Sequence, residues 1–187
     1  MLLASVACAA CAQVCDEAPP LPPPHPEHDL VIENDVIRYN GKRLEPGSRM
    51  KEWIAVLGPP DRAKESWVVW DSIGIAVSTE ELVERWADLG EVPSSCLHVF
   101  FETSRDNDPK SAYTGRLLLD GAAFYTGVKL QYIHQQTHLR CVTGPHGFYE
   151  GGLPNTRFCR TDRWTYSVGI YTAEQAYWVK HLQVCAK

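Results

Sequence analysis

Apolar and polar residues alternate in short runs along most of this chain, and turn signals separate the runs. Val36–Tyr39 alternates and runs into Asn40-Gly41, a two-residue hairpin signal, with Lys42–Leu44 as the return arm. Pro46-Gly47 then breaks the chain, and Ser48 is placed to cap a helix over Met50–Leu57. Trp53, Ile54 and Leu57 fall on one face of that helix, and Gly58-Pro59-Pro60 stops it. Trp67–Trp70 and Ile73–Val77 predict strands with a tight bend at Asp71-Ser72. Ser78-x-x-Glu81 reads as a capping box that opens a second helix to Leu89, closed by Gly90. Cys96–Phe101 predicts a strand in which Leu97, Val99 and Phe101 face one way. Arg116–Leu119 leads into Asp120-Gly121, a second hairpin turn. Val128–His138 predicts a helix with Val128, Tyr132 and Gln135 on one side. Gly144–Pro154 is a long glycine-rich loop, and Trp164–Tyr171 and Tyr177–Val184 are the last strands.

Parts of this pattern occur twice. Val36–Gly41 (VIRYNG) is echoed by Arg116–Gly121 (RLLLDG), and Trp67–Thr79 by Trp164–Thr172. Cys96–Phe101 (CLHVFF) is echoed more weakly by Lys180–Cys185 (KHLQVC). The order is the same in both halves, as expected when one supersecondary unit is used twice. The competing explanation is chance likeness between generic hairpins. The expected fold is α+β, with two related antiparallel sheet units, each with a packed helix. The expected organisation is a leader at 1–15, a proline-rich spacer at 16–29, a first unit at 30–102 and a second at 103–187, with the boundary in the polar run Thr103–Lys110.

Composition is that of a globular protein, and a formal net charge of -5 with no basic stripe argues against a nucleic-acid role. Met1–Ala12 is apolar, rich in small residues and too short to span a bilayer, so it reads as the core of a secretory signal. It lacks a basic start, so the expectation is that the true start lies upstream, the alternative being that the segment is not a signal. Ala10-Cys11-Ala12 fits ordinary signal cleavage, whereas Cys8 and Cys11 each close a weak lipobox and are lipidation candidates. Asp16–Asp29, with six prolines, predicts an extended spacer. Four of the seven cysteines lie in the body, and four cysteines allow three pairings. Cys141 and Cys159 flank the glycine-rich loop and are expected to pair; Cys96 and Cys185, on two echoed strands, are then the second disulfide.

Candidate chemistry is sparse. His134-x-x-x-His138 on a helix would turn two imidazoles toward one zinc, with His146 as a third ligand. Gln135, where a metalloprotease carries its glutamate, cannot serve as general base. Surface histidines are the plainer reading, and no metal is expected. Asp61 and Asp71 are the carboxylates a hydrolase would need, but nothing pairs them, and a turn carboxylate capping its own backbone explains Asp71. No phosphate loop, nucleophile elbow or cofactor motif is present. The six tryptophans fall mostly at core-facing positions. The loop GPHGFYEGG differs: His146, Phe148, Tyr149 and Glu150 lie among glycines, placed either to enter a partner's pocket or to fold back as a plug.

Asn40-Gly41, Trp53, Leu57-Gly58-Pro59, Trp70-Asp71, Gly74-Ile75, Gly115, Leu117 and Asp120-Gly121 together resemble a family of uncharacterised bacterial envelope proteins with signal or lipoprotein leaders. The likeness runs from about Val36 to Gly121. The Leu-Gly-Pro-Pro stop after a helix is also similar to repeats of outer-membrane assembly lipoproteins and β-lactamase-inhibitor proteins. This second resemblance implies an α+β fold with a protein-binding sheet surface and no reaction. The functional expectation is an exported, non-enzymatic binding module of the periplasm or outer membrane. In this reading it is an inhibitor or immunity protein that occludes a secreted toxin or hydrolase and meets the membrane only through a lipid anchor. The alternatives are a structural or assembly lipoprotein, and a hydrolase whose residues are not grouped in sequence.

Overall fold

The computed structural model describes residues 28–33, 36–83, 86–103, 108–128, 140–143, 156–160, 167–172 and 179–186. Strands dominate, and they form two sheets. The smaller sheet is built around β1 (Asp29–Glu33), with β2 (Val36–Tyr39) and β3 (Lys42–Leu44) on one side. On the other side lie β8 (Arg116–Leu119) and β9 (Ala122–Phe124). Both predicted hairpins form. Asn40 and Gly41 have φ of 49° and 77°, and Asp120 and Gly121 have 45° and 85°. Two successive positive φ values give the turn twist that closes a two-residue hairpin, and Asn, Asp and Gly adopt them at least cost. β1 pairs antiparallel with β2 but parallel with β8, so this sheet is mixed rather than purely antiparallel. Every second residue of β1, β2 and β8 is buried: Leu30 and Ile32, Ile37 and Tyr39, Leu117 and Leu119.

The larger sheet has eight strands. β4 (Arg62–Lys64), β5 (Trp67–Trp70), β6 (Ile75–Thr79) and β7 (Ser94–Phe100) form an antiparallel run. A second antiparallel run comprises β10 (Arg140–Thr143), β11 (Thr156–Arg160), β12 (Ser167–Thr172) and β13 (Val179–Cys185). β7 pairs with β13, so the sheet order is β10-β11-β12-β13-β7-β6-β5-β4. Neither half of the chain keeps a sheet to itself: β1–β3 share one with β8 and β9, and β4–β7 share the other with β10–β13.

One apolar cluster joins the two sheets. It holds Leu30, Ile37, Leu117 and Phe124 from the smaller sheet, and Val68, Val77, Leu97, Val99, Leu182 and Val184 from the larger one. Met50 and Trp53 of α1 (Met50–Leu57) enter the same cluster, with Ile54 and Leu57 packed at its margin. α1 ends as expected: Gly58 has φ 87° and its N–H bonds the Ile54 carbonyl. Its start differs. Arg49 is the N-cap residue, without a side-chain cap, and Ser48 Oγ has no hydrogen-bond partner. Ser48 serves β7 instead: its carbonyl accepts from the Ser94 amide and from Ser94 Oγ, each at 2.8 Å. Ser94 Oγ in turn accepts from the buried Trp53 indole at 2.9 Å.

Among the described residues the second helix expected from Ser78 to Leu89 is absent. Ser78 and Thr79 belong to β6, and only a 3₁₀ turn over Trp86–Glu91 follows. Ser78 is paired on both sides, with Trp67 and Cys96, so the sheet ladder outcompetes the cap. Thr79 Oγ1 bonds the Glu81 carbonyl at 2.7 Å and directs the chain away from a helical turn. Without the helix Trp86 is 55% exposed rather than core-facing. The helix expected at 128–138 lies outside the described residues beyond Val128.

A strap of chain at 108–113 carries the fold from the large sheet to β8. It is seated on the β5–β6 turn, where Gly74 has φ 72°. A β-carbon there would lie 2.2 Å from the Tyr113 backbone nitrogen and 2.6 Å from the Ala112 carbonyl carbon. Gly74 O accepts the Phe100 amide, and Phe100 O accepts the Tyr113 amide at 2.6 Å, so strand end, turn and strap interlock. Gly74→Ala combines a disfavoured φ with a backbone clash. It should destabilise the protein by about 3 kcal/mol or more, read as a lower urea midpoint at unchanged slope.

Candidate functional site

Two polar groupings are built into the described residues. The first surrounds Asp71, which is 6% exposed. Arg62 of β4 places Nε 3.2 Å from both carboxylate oxygens and Nη2 3.2 Å from Oδ1. The Lys110 amide donates to Asp71 Oδ1 at 2.9 Å, and Lys110 Nζ lies 3.6 Å from Oδ2. Asp71 O accepts the Ser111 amide at 3.0 Å, and Arg62 also donates to the Asp108 carbonyl at 2.6 Å. Burial pushes the Asp71 carboxyl up, but the Arg62 and Lys110 hydrogen bonds and charges outweigh it and hold the group below its usual range.

Asp71 therefore does not cap its own turn. It binds the strap, thirty-nine residues away in sequence, to the β5–β6 turn. Asp61 is brought beside it, with Oδ2 accepting the Asp71 amide at 2.7 Å. Both carboxylates are spent on fixed partners, which describes a latch better than an acid–base pair. The strap continues into a second tether. Tyr113, almost wholly buried, donates its hydroxyl to the His28 carbonyl at 2.7 Å, and Arg116 pairs with Asp29 at 2.8 Å. Burial, then Tyr39 and Asp29, pushes the Tyr113 phenol far above its usual range, so it stays a neutral donor.

The second grouping lies on the face of the large sheet turned from the main core. His98 of β7 is 4% exposed. Its Nδ1 is 3.0 Å from His181 Nε2 on β13, and its Nε2 is 3.2 Å from Ser78 Oγ on β6. The Trp67 ring lies 4.5 Å from the His98 ring, tilted by 46°, and Phe100 stacks on His181 at 4.3 Å. One row away, Cys96 and Cys185 form a disulfide between directly opposed residues whose α-carbons are 4.0 Å apart. The Gln183 amide donates to both sulfurs.

Ser78, His98 and His181 repeat the connectivity of nucleophile, base and orienting group. The chemistry does not follow. Burial, and then His181, holds His98 well below the usual histidine range, which makes it a poor base. The third member is an imidazole, which cannot stabilise an imidazolium as a carboxylate does. Ser78 Oγ also bonds Ser95 Oγ at 2.9 Å, and its backbone is mid-sheet.

The sequence-predicted residues divide clearly. The Cys96–Cys185 disulfide is present. Cys141 and Cys159 are register partners on β10 and β11, which sets their α-carbons opposite each other. His146, Phe148, Tyr149 and Glu150 lie outside the described residues, as do Cys8, Cys11, His134 and His138. β10 and β11, the strands on either side of the 146–150 segment in sequence, pair at one edge of the large sheet. Among the described residues no group of three or more His, Cys, Asp or Glu side chains is placed to hold a metal, and no helix is long and apolar enough to cross a membrane. The His98–His181 pair was missed in sequence, because the residues are far apart and only the β7–β13 register joins them.

The fold and its latches thus define a strand-dominated α+β protein with two sheets on one core. Residues 29–133 match the family described as a domain of unknown function (DUF7738), more than half of the chain, and the protein belongs to that family. No curated protein and no solved structure matches it. The family span includes β1 to β9, the Asp71 latch and the Tyr113 tether, and it stops before β10.

Asp71→Asn keeps the shape of the side chain but removes its charge. It should cost about 2 kcal/mol at neutral pH by removing the buried charge that Arg62 and Lys110 face. Because the folded-state pKa is lowered, the carboxylate's contribution is present above the unfolded value near 4 and disappears as pH falls through the folded value. Urea unfolding at pH 7 and in acid should show the gap between wild type and variant closing on the acid side.

Proposed function

We propose that this protein is an exported binding module of the bacterial envelope that acts by occluding another protein, a secreted toxin or hydrolase. The observation that carries the reading is the pairing of β10 with β11 at the edge of the large sheet, with Cys141 and Cys159 in register on the two strands. A loop fixed at its base loses less entropy on binding. Glycines at 144, 147, 151 and 152 leave the backbone around Phe148 and Tyr149 uncovered by side chains.

The Cys96–Cys185 disulfide between the two central strands supports an oxidising compartment, since such bonds are rare in the cytosol. That agrees with the apolar leader and a lipid on Cys8 or Cys11. The strand order supports the two-unit reading. Outward from the β7–β13 pair the sheet runs β6, β5, β4 on one side and β12, β11, β10 on the other, and each set follows a hairpin in the small sheet. In this reading each unit is a hairpin followed by four strands, and the second unit has specialised its edge for the partner.

His146, Phe148, Tyr149 and Glu150 are the proposed contact residues. The test is capture from the envelope and culture medium of the producing organism with the mature chain as bait, followed by titration of the purified partner. Phe148→Ala with Tyr149→Ala should weaken binding by about 2 kcal/mol or more, roughly thirtyfold, while the urea midpoint stays unchanged. Unchanged affinity in the double variant removes the loop from the interface. A chain that unfolds instead shows that these rings serve the core.

A further inference from the structure

The His98–His181 pair occupies the ladder that joins the two four-stranded runs of the large sheet. A hydrogen bond between two imidazole nitrogens holds one proton. It survives when both rings are neutral, with one N–H donating to the other lone pair, and it is lost when both are protonated. Among the described residues, the surroundings of His98 offer no compensation for charge. From β5 it meets Trp67, from β6 Ala76 and Ser78, along β7 Cys96 and Phe100, and from β13 His181 and Gln183. None of these is an acid. The charged groups of the flanking elements are engaged elsewhere: Arg62 with Asp71, Lys64 with Glu65, Lys180 with Glu102.

We propose that this histidine pair makes the β7–β13 joint acid-sensitive, so that the two runs of the large sheet loosen from each other below neutral pH while the adjacent Cys96–Cys185 disulfide keeps them tethered. An envelope protein in a compartment that acidifies with the medium would thereby change the relation between its two halves without losing its covalent frame. The inference stands on the seam alone and does not depend on what the 144–155 loop binds.

The depressed His98 pKa sets the direction. A histidine that protonates more readily in the open state than in the closed one favours the closed joint above the ordinary value near 6.5, and progressively less below it. For one such histidine the opening constant should rise about thirtyfold between pH 7.5 and 5.0.

The experiment is amide hydrogen exchange on the oxidised full chain at those two pH values, corrected for intrinsic exchange, with β1 and β8 as internal reference. The expected result is a roughly thirtyfold loss of protection in β7 and β13 relative to β1 and β8. His98→Phe, which fills the aromatic row without titrating, should abolish the difference, and His98→Gln serves if the phenylalanine does not fold. Exchange at the histidine ring C2 position, followed in the same samples, reads the protonation of His98 directly. Equal protection at both pH values overturns the proposal. So does the same acid loss in the His98 variants, or a His98 that titrates at its ordinary value while β7 and β13 stay protected.

Discussion

The antiparallel pairing of β7 with β13 is the constraint on which the rest of this structure depends. It is the ladder through which the β4–β7 run meets the β10–β13 run. Five residue pairs define it, from His181 opposite Phe100 to Cys185 opposite Cys96. Its two faces do different work. Leu97, Val99, Leu182 and Val184 point into the common core, where burial of apolar area supplies the main stabilisation. Cys96, His98, His181 and Gln183 form a polar and covalent row on the other face. The disulfide closes a sequence separation of 89 residues, and a bridge over so long a loop restricts the unfolded chain strongly, by about 4.6 kcal/mol in the chain-entropy account.

The second requirement is passage between sheets. A chain that leaves β7 at the middle of one sheet must arrive at β8 beside β1 in the other. The strap at 108–113 makes that passage, and Asp71, Gly74 and Tyr113 fix it at successive points. Trp70, Asp71, Gly74 and Gly115 each have a structural role along this passage. Gly115 leaves room for the His28 carbonyl, which a β-carbon would approach to 1.9 Å. Trp70 donates its indole N–H to the Gly58 carbonyl at 2.9 Å and ties the helix stop to β5. The DUF7738 match spans Trp70 to Gly115 and ends before the second run of the large sheet, so the proposed binding edge lies beyond the match.

Elements with strong local signals were legible in the sequence. Both two-residue hairpins and α1 with its glycine stop depend on near neighbours, and the alternation of Leu97, Val99 and Phe101 declares a face. Pairing was less legible. Two of the three echoes matched strands that occupy equivalent places about β7–β13, and the other matched β2 with β8 in the small sheet, but nothing in the residues declared that β1 would pair parallel with β8 and so merge the two halves into shared sheets. The false helix at Ser78 shows the same limit: a capping box is a local preference, and two flanking strands override it. Asp71 was singled out, but its partner was not visible, because Lys110 is distant in sequence and sits in a polar run that reads as linker. The histidine pair was illegible for the same reason.

The claim that the β7–β13 ladder holds the two runs together is tested most directly by removing β13 alone. A chain ending at residue 172 retains every other described strand but leaves β7 and β12 without their shared partner. The account predicts that this chain loses cooperative unfolding and exposes the apolar face of β7, seen as a broad, low-amplitude urea transition with strong binding of a hydrophobic dye. A sharp transition at the midpoint of the full-length protein would contradict it, and would place the stability of the fold in the small sheet and the strap instead.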